Sequence, residues 1–453
     1  MRVKKGVYLE SLGCNKNTVD SEIILSLLQE RGYRRTTNPE DASCIIVNTC
    51  AFIDDAKRES IDVILALASY RKSGKRLIVT GCLSQLYPYE LEQELPEVDA
   101  IIGVGDLRYV IEAVEKPGRA GDYSASRIIP ERYREYSERN EFLTPPGYAY
   151  VKISEGCSRA CSFCLIPHIK GEHRSRNIED IVQEVCRLEE KGIKEIIITS
   201  QDTLSFGEDT GIKGGLRLLL RKLLEKTSIP RIRLLYLRPA RELLDILEIF
   251  QDPRVLPYFD IPIQHVSEKV LFNMKRNGDS LLYMKLIDEV REKISEAVLR
   301  TTVMVGFPGE GEEDFQTLLN FIKKVRFNHL GVFVFSPQKE TDAYRLKGRV
   351  RRPTGERRKR EVMLIQQGIS RELLQREIGK VHDVLIDEVL NTGVGKGTSC
   401  NSVYIGRSFH FAPEVDGFFL VRSSKPLKPG RIIRARVTEA ECYDLHGIVL
   451  NED

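Results

Sequence analysis

Short apolar runs alternate with longer helix-patterned stretches along most of this chain, and that rhythm limits its fold more than any other feature. Val7-Tyr-Leu-Glu-Ser-Leu reads as a strand, and Asn17 to about Arg31 as a helix with Ile23, Ile24, Leu27 and Leu28 on one face. Cys44-Ile-Ile-Val-Asn, Leu77-Ile-Val-Thr and Ala100-Ile-Ile-Gly-Val read as three more buried strands, with a helix over about Asp54 to Ser69. Parallel strands need long, usually helical, crossovers. The alternation therefore predicts a doubly wound parallel α/β sheet covered on both faces.

The rhythm breaks at a charged stretch rich in Pro and Gly (Pro117-Gly118, Gly121, Pro130), read as a linker over residues 117–142. It resumes from residue 143, with strands predicted at Tyr150–Ile153, Glu195–Thr199, Ile232–Leu237, Tyr258–Ile263, Leu299–Val305 and Gly331–Phe335. Six β/α units without a seventh predict a partial (β/α)6 barrel ending near residue 375. Residues 345–360 hold nine Lys/Arg against one Glu and read as a solvated helix start. From 376 to 453 the pattern turns to short β runs punctuated by Gly and Pro, which suits a small β-barrel.

Charge and composition narrow the function. With 69 Lys+Arg and 66 Asp+Glu over 453 residues the net charge is +3, so no polybasic nucleic-acid binder is expected. No apolar run of about 18 residues predicts a membrane span, and the first residues lack the pattern of a signal peptide; a cytoplasmic location is expected. In a reducing compartment the ten cysteines, at 14, 44, 50, 82, 157, 161, 164, 186, 400 and 442, point to metal or catalysis rather than disulfides.

Cys157, Cys161 and Cys164 form C-x3-C-x2-C just past the first strand of the second β/α array. Three thiolates on one tight loop suit an iron–sulfur cluster. A cubane with three protein ligands keeps one iron open, the mark of a catalytic rather than structural site. The rival is a Cys3His zinc site using His168, four residues beyond Cys164, in a non-catalytic nucleic-acid-binding module. Cys14, Cys50 and Cys82 each lie just past the carboxyl end of a different predicted parallel strand. In a doubly wound sheet those ends share one rim, so the three should meet and bind a second cluster. Cys44, Cys186, Cys400 and Cys442 lack that placement and read as filler.

The C-x3-C-x2-C trio opening a partial β/α barrel resembles the radical S-adenosylmethionine enzymes. With the three-cysteine amino-terminal domain and a carboxyl-terminal barrel of the TRAM type, the whole chain resembles the methylthiotransferases. The resemblance implies two [4Fe-4S] clusters and two uses of S-adenosylmethionine, as methyl donor and as source of a 5′-deoxyadenosyl radical. Cys157, Cys161 and Cys164 would bind the radical-generating cluster. Cys14, Cys50 and Cys82 would bind the one that holds the sulfur. An electron donor such as flavodoxin or ferredoxin and a sulfur carrier are implied as partners.

One branch of that family modifies a transfer RNA adenosine, and the other (the RimO type) an aspartate β-carbon in the twelfth protein of the small ribosomal subunit. Three stretches resemble the second: Ser11 to Glu22, with Asn15 in place of the usual Pro; Asn48 to Ser60, with Ile53 where the RNA branch carries Arg; and Ile153 to Arg176, with Lys170 where Arg is commoner and Ala160 where the RNA branch has Tyr. Residues 376–453 hold ten Lys/Arg and eleven Asp/Glu, a balance of −1, which suits a basic protein better than RNA. Modification of transfer RNA is the alternative. Gln201, Asp202, Gln264 and Arg300 fall on or at the ends of barrel strands, where such folds line their sites, and are candidate S-adenosylmethionine contacts.

Overall fold

The computed structural model describes residues 5–116, 118, 120–136, 139–391 and 402–450. The readings of residues 1–4, Pro117 and Cys400 lie outside the described residues. Five parallel strands form the first sheet: β1 (Gly6–Ser11), β2 (Arg34–Arg35), β3 (Cys44–Thr49), β4 (Arg76–Gly81) and β5 (Ala100–Ile101), in the order β2-β1-β3-β4-β5. Helices α1 (Asn15–Glu30), α2 (Asp54–Ala68), α3 (Cys82–Leu86), α4 (Pro88–Glu94) and α5 (Arg108–Glu115) connect and cover them. All six residues of β3 are buried, which explains its unbroken apolar run. β2 has no counterpart in the sequence reading, because it is two exposed arginines at a sheet edge.

α1 departs from its expected pattern. It starts at Asn15, and beside Ile23, Ile24 and Leu28 it buries Asn15, Lys16, Asn17, Asp20, Ser21, Glu22 and Ser26. Much of its polar side is turned not to water but to protein: Glu22 pairs with Arg139 of the linker and Asp20 with Lys152 of the second domain.

The second domain is an open sheet of six parallel strands, β6 (Tyr148–Lys152), β9 (Glu195–Thr199), β10 (Arg231–Leu234), β11 (Val255–Asp260), β12 (Val298–Val305) and β13 (His329–Val334), in that spatial order. Short strands β7 (Ser154–Glu155) and β8 (Arg174–Ser175) pair as a clip beside β6. Between them stands α6 (Ile166–Lys170), and further on α7 (Ile178–Glu190), α8 (Gly215–Lys226), α9 (Glu268–Asn273), α10 (Ser280–Lys293) and α11 (Glu312–Val325). This is a partial (β/α)6 barrel. Ala149, Val151, Ile196 and Ile198 pack in one core with α7 and α8. Tyr148, Tyr150, Ile197, Leu235 and Tyr258 point the other way, into a core shared with Val19 and Ile23 of α1 and with Leu385 and Ala412.

A 24-residue helix, α12 (Arg352–Gln375), leads to a closed five-stranded barrel of β14 (Val381–Asn391), β15 (Ser402–Arg407), β16 (Phe419–Ser423), β17 (Ile432–Ala440) and β18 (Leu445–Val449). The basic segment at 345–360 is not wholly solvated as expected. Arg358 is buried and pairs with Glu310 and Glu312, so ion pairs dock the start of α12 on that of α11. Within 117–142, Tyr123 is buried, and buried Arg139 joins Glu22 of α1 (2.5 Å) to Glu184 of α7. Among the described residues no helix is long and apolar enough to cross a membrane.

Candidate functional site

β1, β3 and β4 are neighbours in register, Ser11 opposite Asn48 and Thr49 opposite Gly81. Their carboxyl ends therefore lie side by side, at the point where the strand order reverses. Cys14 caps α1, Cys50 follows β3 directly, and Cys82 opens α3. The loops carrying these three cysteines are packed together. Gly13 has φ +91°, and a Cβ on it would stand 2.7 Å from Cys50 Cβ, so only glycine lets the first loop reach the second. The Asn17 amide donates to the carbonyl oxygens of Leu12 and Thr49, each at 2.9 Å, and its oxygen accepts from Cys82 Sγ at 3.9 Å. Ser60 clamps Cys50 through both its N–H and its carbonyl.

The second trio hangs on the loop after β7. Gly156, at φ +78°, lets that loop approach the Glu172 carbonyl; a Cβ there would lie 2.1 Å from the oxygen. Cys157 N–H donates to the Gly171 carbonyl (3.0 Å), and Ser162 is held by Met274, Asn273 and Ala343. Backbone N–H groups of Arg159 and Ile166 donate to the sulfurs of Cys157 and Cys164, each at 3.4 Å. Burial pushes the Cys164 thiol up to about 12 and raises those of Cys157, Cys50 and Cys82, the last opposed by Lys170. Such desolvated thiols ionise readily only when a metal takes the thiolate.

Spacing separates zinc from a cluster. The sulfurs of one tetrahedral zinc stand about 3.8 Å apart. Among the described residues, the one group of three His, Cys, Asp or Glu ligand atoms lying within 4.8 Å of one another is Glu377, His382 and His410. Neither cysteine trio, nor any group with His168, has mononuclear spacing. A cubane puts each thiolate on its own iron and sets the sulfurs wider apart than a single zinc does. The described cysteines are all free.

A cavity of about 200 Å³ opens beside Cys157, lined by Arg159, His173, Asp202, Ser205, Glu208 and Asp209 among others. Arg159 pairs with Asp202 at 3.2 Å. Asp202 Oδ1, Gln201 Oε1 and His173 Nδ1 are buried without a hydrogen-bond partner. These orphaned atoms, with charges of both signs, fit a ligand carrying an ammonium and a carboxylate, as the methionine end of S-adenosylmethionine does. Asp202 is thus brought beside Cys157, while Gln201 reaches Glu155, two residues before it. Gln264, past β11, holds a left-handed backbone (φ 66°) bridged to Val303. Arg300 is already engaged by Asp260 (2.9 Å) and Asp416 of the C-terminal barrel (3.4 Å).

The two trios are joined by a buried ionic cluster that the sequence reading missed. Asp20 of α1 pairs with Lys152 at the end of β6 and with Lys170 of α6 (3.1 Å). Glu155, two residues before Cys157, pairs with the same lysines at 2.6 and 3.5 Å and accepts from Gln201 at 2.8 Å. Burial opposes ionisation of Glu155, but Lys152 and Lys170 hold its carboxyl below the usual range. The one available signal was the dense polar run Asn15 to Glu22 opening a helix.

Comparison with known proteins matches this arrangement. Residues 6–103 match the uncharacterized protein family UPF0004, 151–322 the radical SAM superfamily and 378–450 the TRAM domain. The ribosomal protein uS12 methylthiotransferase RimO of Aquifex aeolicus is 44% identical over 438 residues, 96% of this chain and 95% of that one. The protein of the same name from a Thermoanaerobacter species is 42% identical over 450 residues, 98% and 99% of the two chains. Among solved structures, the radical S-adenosylmethionine methyltransferase TsrM from Kitasatospora setae shares the fold at 13% identity, with a TM-score of 0.54 over 88% of this chain and 80% of that one. A radical S-adenosylmethionine domain brings with it an iron–sulfur cluster and S-adenosylmethionine. The chain belongs to the radical S-adenosylmethionine methylthiotransferases, in the family of the ribosomal protein uS12 methylthiotransferase RimO.

Proposed function

We propose that this protein places a methylthio group on the β-carbon of an aspartate in ribosomal protein uS12. Cys157, Cys161 and Cys164 would hold one [4Fe-4S] cluster, and Cys14, Cys50 and Cys82 a second. When bound, these clusters and S-adenosylmethionine supply the radical, methyl and sulfur chemistry. The observation that carries the reading is the buried cluster of Asp20, Lys152, Glu155 and Lys170. Two centres that act on one carbon need a fixed relation to each other, and this cluster ties the element after Cys14 to those on either side of Cys157.

The chain's own groups take up the rest. Arg159, Asp202 and His173 offer polar contacts for the cofactor's methionine end beside Cys157, and Gln201 is oriented by Glu155. Gln264 and Arg300 are proposed as further contacts. A C-terminal barrel with ten Lys/Arg and eleven Asp/Glu over residues 376–453 favours a basic protein partner over RNA. Flavodoxin or ferredoxin would deliver electrons, a sulfur carrier would resupply sulfur, and the cytoplasm is where they would meet.

Anaerobic reconstitution tests the reading. About eight irons are expected in the wild type, and about four in each of the variants Cys14/Cys50/Cys82→Ala and Cys157/Cys161/Cys164→Ala. Incubated with purified uS12 and with transfer RNA, the enzyme should add the mass of a methylthio group, less one hydrogen, to the protein alone. A full iron load in the first variant, or modified RNA with unmodified uS12, refutes it.

A further inference from the structure

Three lysines are buried where the first two domains meet, and one differs from the others. Lys152 and Lys170 each meet two carboxylates. Lys16, 8% exposed, has no carboxylate within ion-pairing distance among the described residues. Its ammonium lies 3.6 Å from the centre of the Tyr236 ring and 3.4 Å from Asn15 Oδ1. Asn15 and the Tyr236 side chain are thus its nearest partners, and neither is a carboxylate. A buried charge is unfavourable without a directly paired counter-charge, so this position suits an anionic ligand.

The surroundings put that anion at the reactive rim. Lys16 is two residues past Cys14, in the first turn of α1. Asn15, between them, accepts from Thr199 at the carboxyl end of β9 (3.0 Å). Tyr236 lies just past β10 with a left-handed backbone (φ 59°), a conformation unfavourable for tyrosine and frequent at functional sites. It is held there by two hydrogen bonds, its N–H donating to Asp260 (2.9 Å) and its carbonyl accepting from Thr203 (3.2 Å). The backbone that carries the ring under the ammonium is therefore fixed. The Glu377, His382 and His410 group lies far along the chain, and Lys380, 2.9 Å from its carboxylate, already supplies a cation.

We propose that Lys16 anchors the side-chain carboxylate of the substrate aspartate. This rests on the reading of the protein as an aspartate methylthiotransferase. The β-carbon is one bond from the carboxylate carbon, so a cation holding the carboxylate fixes the carbon that must lose a hydrogen. The same cation discriminates by charge, because neither an asparagine nor an adenine ring offers it an anion.

Lys16→Met keeps the stem and removes the charge; Lys16→Arg keeps the charge. The target aspartate is first read by mass spectrometry from uS12 modified by the wild type. Equilibrium binding to the reconstituted enzymes is then measured for uS12 and for uS12 with that aspartate changed to asparagine. The wild type should prefer the aspartate protein by about 10-fold or more. Lys16→Met should bind both alike, with unchanged iron and sulfide, and Lys16→Arg should keep part of the preference. An undiminished preference in Lys16→Met overturns the proposal. So does loss of iron or sulfide in that variant, which would make the ammonium a counter-charge to the metal site at Cys14. A wild type that leaves uS12 unmodified overturns instead the aspartate reading on which the proposal rests.

Discussion

Asn17 and Cys82, 65 residues apart in the chain, face each other at 3.9 Å, with the thiol donating to the amide oxygen. Because the same side chain donates to Leu12 and Thr49, one residue joins the loops that carry Cys14, Cys50 and Cys82. It is not itself a candidate ligand. Asn17→Ala leaves two buried carbonyls unpaired, at roughly 1–3 kcal/mol each. The expected outcome is a less stable apo protein that, after reconstitution, holds well under eight irons but retains about four. Denaturant melts and iron analysis check it, and a full load would show that the loops hold their places without the amide.

Two glycines give a test that separates the centres. Gly13→Ala forces a Cβ against Cys50, and Gly156→Ala forces one against the Glu172 carbonyl, both at positive φ. Each should cost about 2–4 kcal/mol and deplete iron from one centre only. The electron paramagnetic resonance of the reduced proteins should lose a different component in each variant. Loss of both components from either substitution would mean that the two sites assemble as one unit.

The β/α rhythm made both parallel sheets legible, because burial on both faces writes strands as continuous apolar runs, and the closing barrel was legible from short β runs between Gly and Pro. β3, with all six residues buried, is the clearest case. The convergence of Cys14, Cys50 and Cys82 was legible too, since parallel strands end on one rim. What was hidden depends on contact between domains. Lys16 and Asp20 look like the solvated start of an amphipathic helix until the barrel is packed against it. Asn15, where the family usually has Pro, appeared only as a departure; its bond to Thr199 shows a use for the side chain that a proline would lack.

Acid should loosen the joint between the first two domains. Burial raises the Glu184 carboxyl, but Arg139 and Arg176 more than reverse this and hold it at about 2. A carboxyl below its ordinary value of 4.5 stabilises the fold above that pH, and the stabilisation is lost as pH falls toward 2. The shift corresponds to about 3 kcal/mol. Glu184→Gln should therefore be less stable than wild type by up to that amount at pH 7, with the gap more than halved by pH 3. Chemical denaturation of the apo proteins across that range measures it, and a gap that does not change with pH would place the Glu184 contribution outside its charge.

The buried cluster at the seam should behave as one unit. Lys152→Met leaves Asp20 and Glu155 sharing Lys170 alone, two buried carboxylates against one cation. Stranding a buried charge in this way costs about 3–5 kcal/mol, whereas removing both partners of a buried pair often costs little. Asp20→Asn added to Lys152→Met restores one carboxylate per lysine, so the double variant should be more stable than Lys152→Met. A double-mutant cycle on the apo protein should give a coupling of about 1–3 kcal/mol between the two positions. The cluster lies between the trios, so 5′-deoxyadenosine formation and methylthiolation should separate in Lys152→Met. Radical production, which needs only the centre beside Cys157, should fall less than transfer, which needs both centres in register. Equal losses in both rates would mean that the seam supports the barrel site alone and has no part in setting one centre against the other.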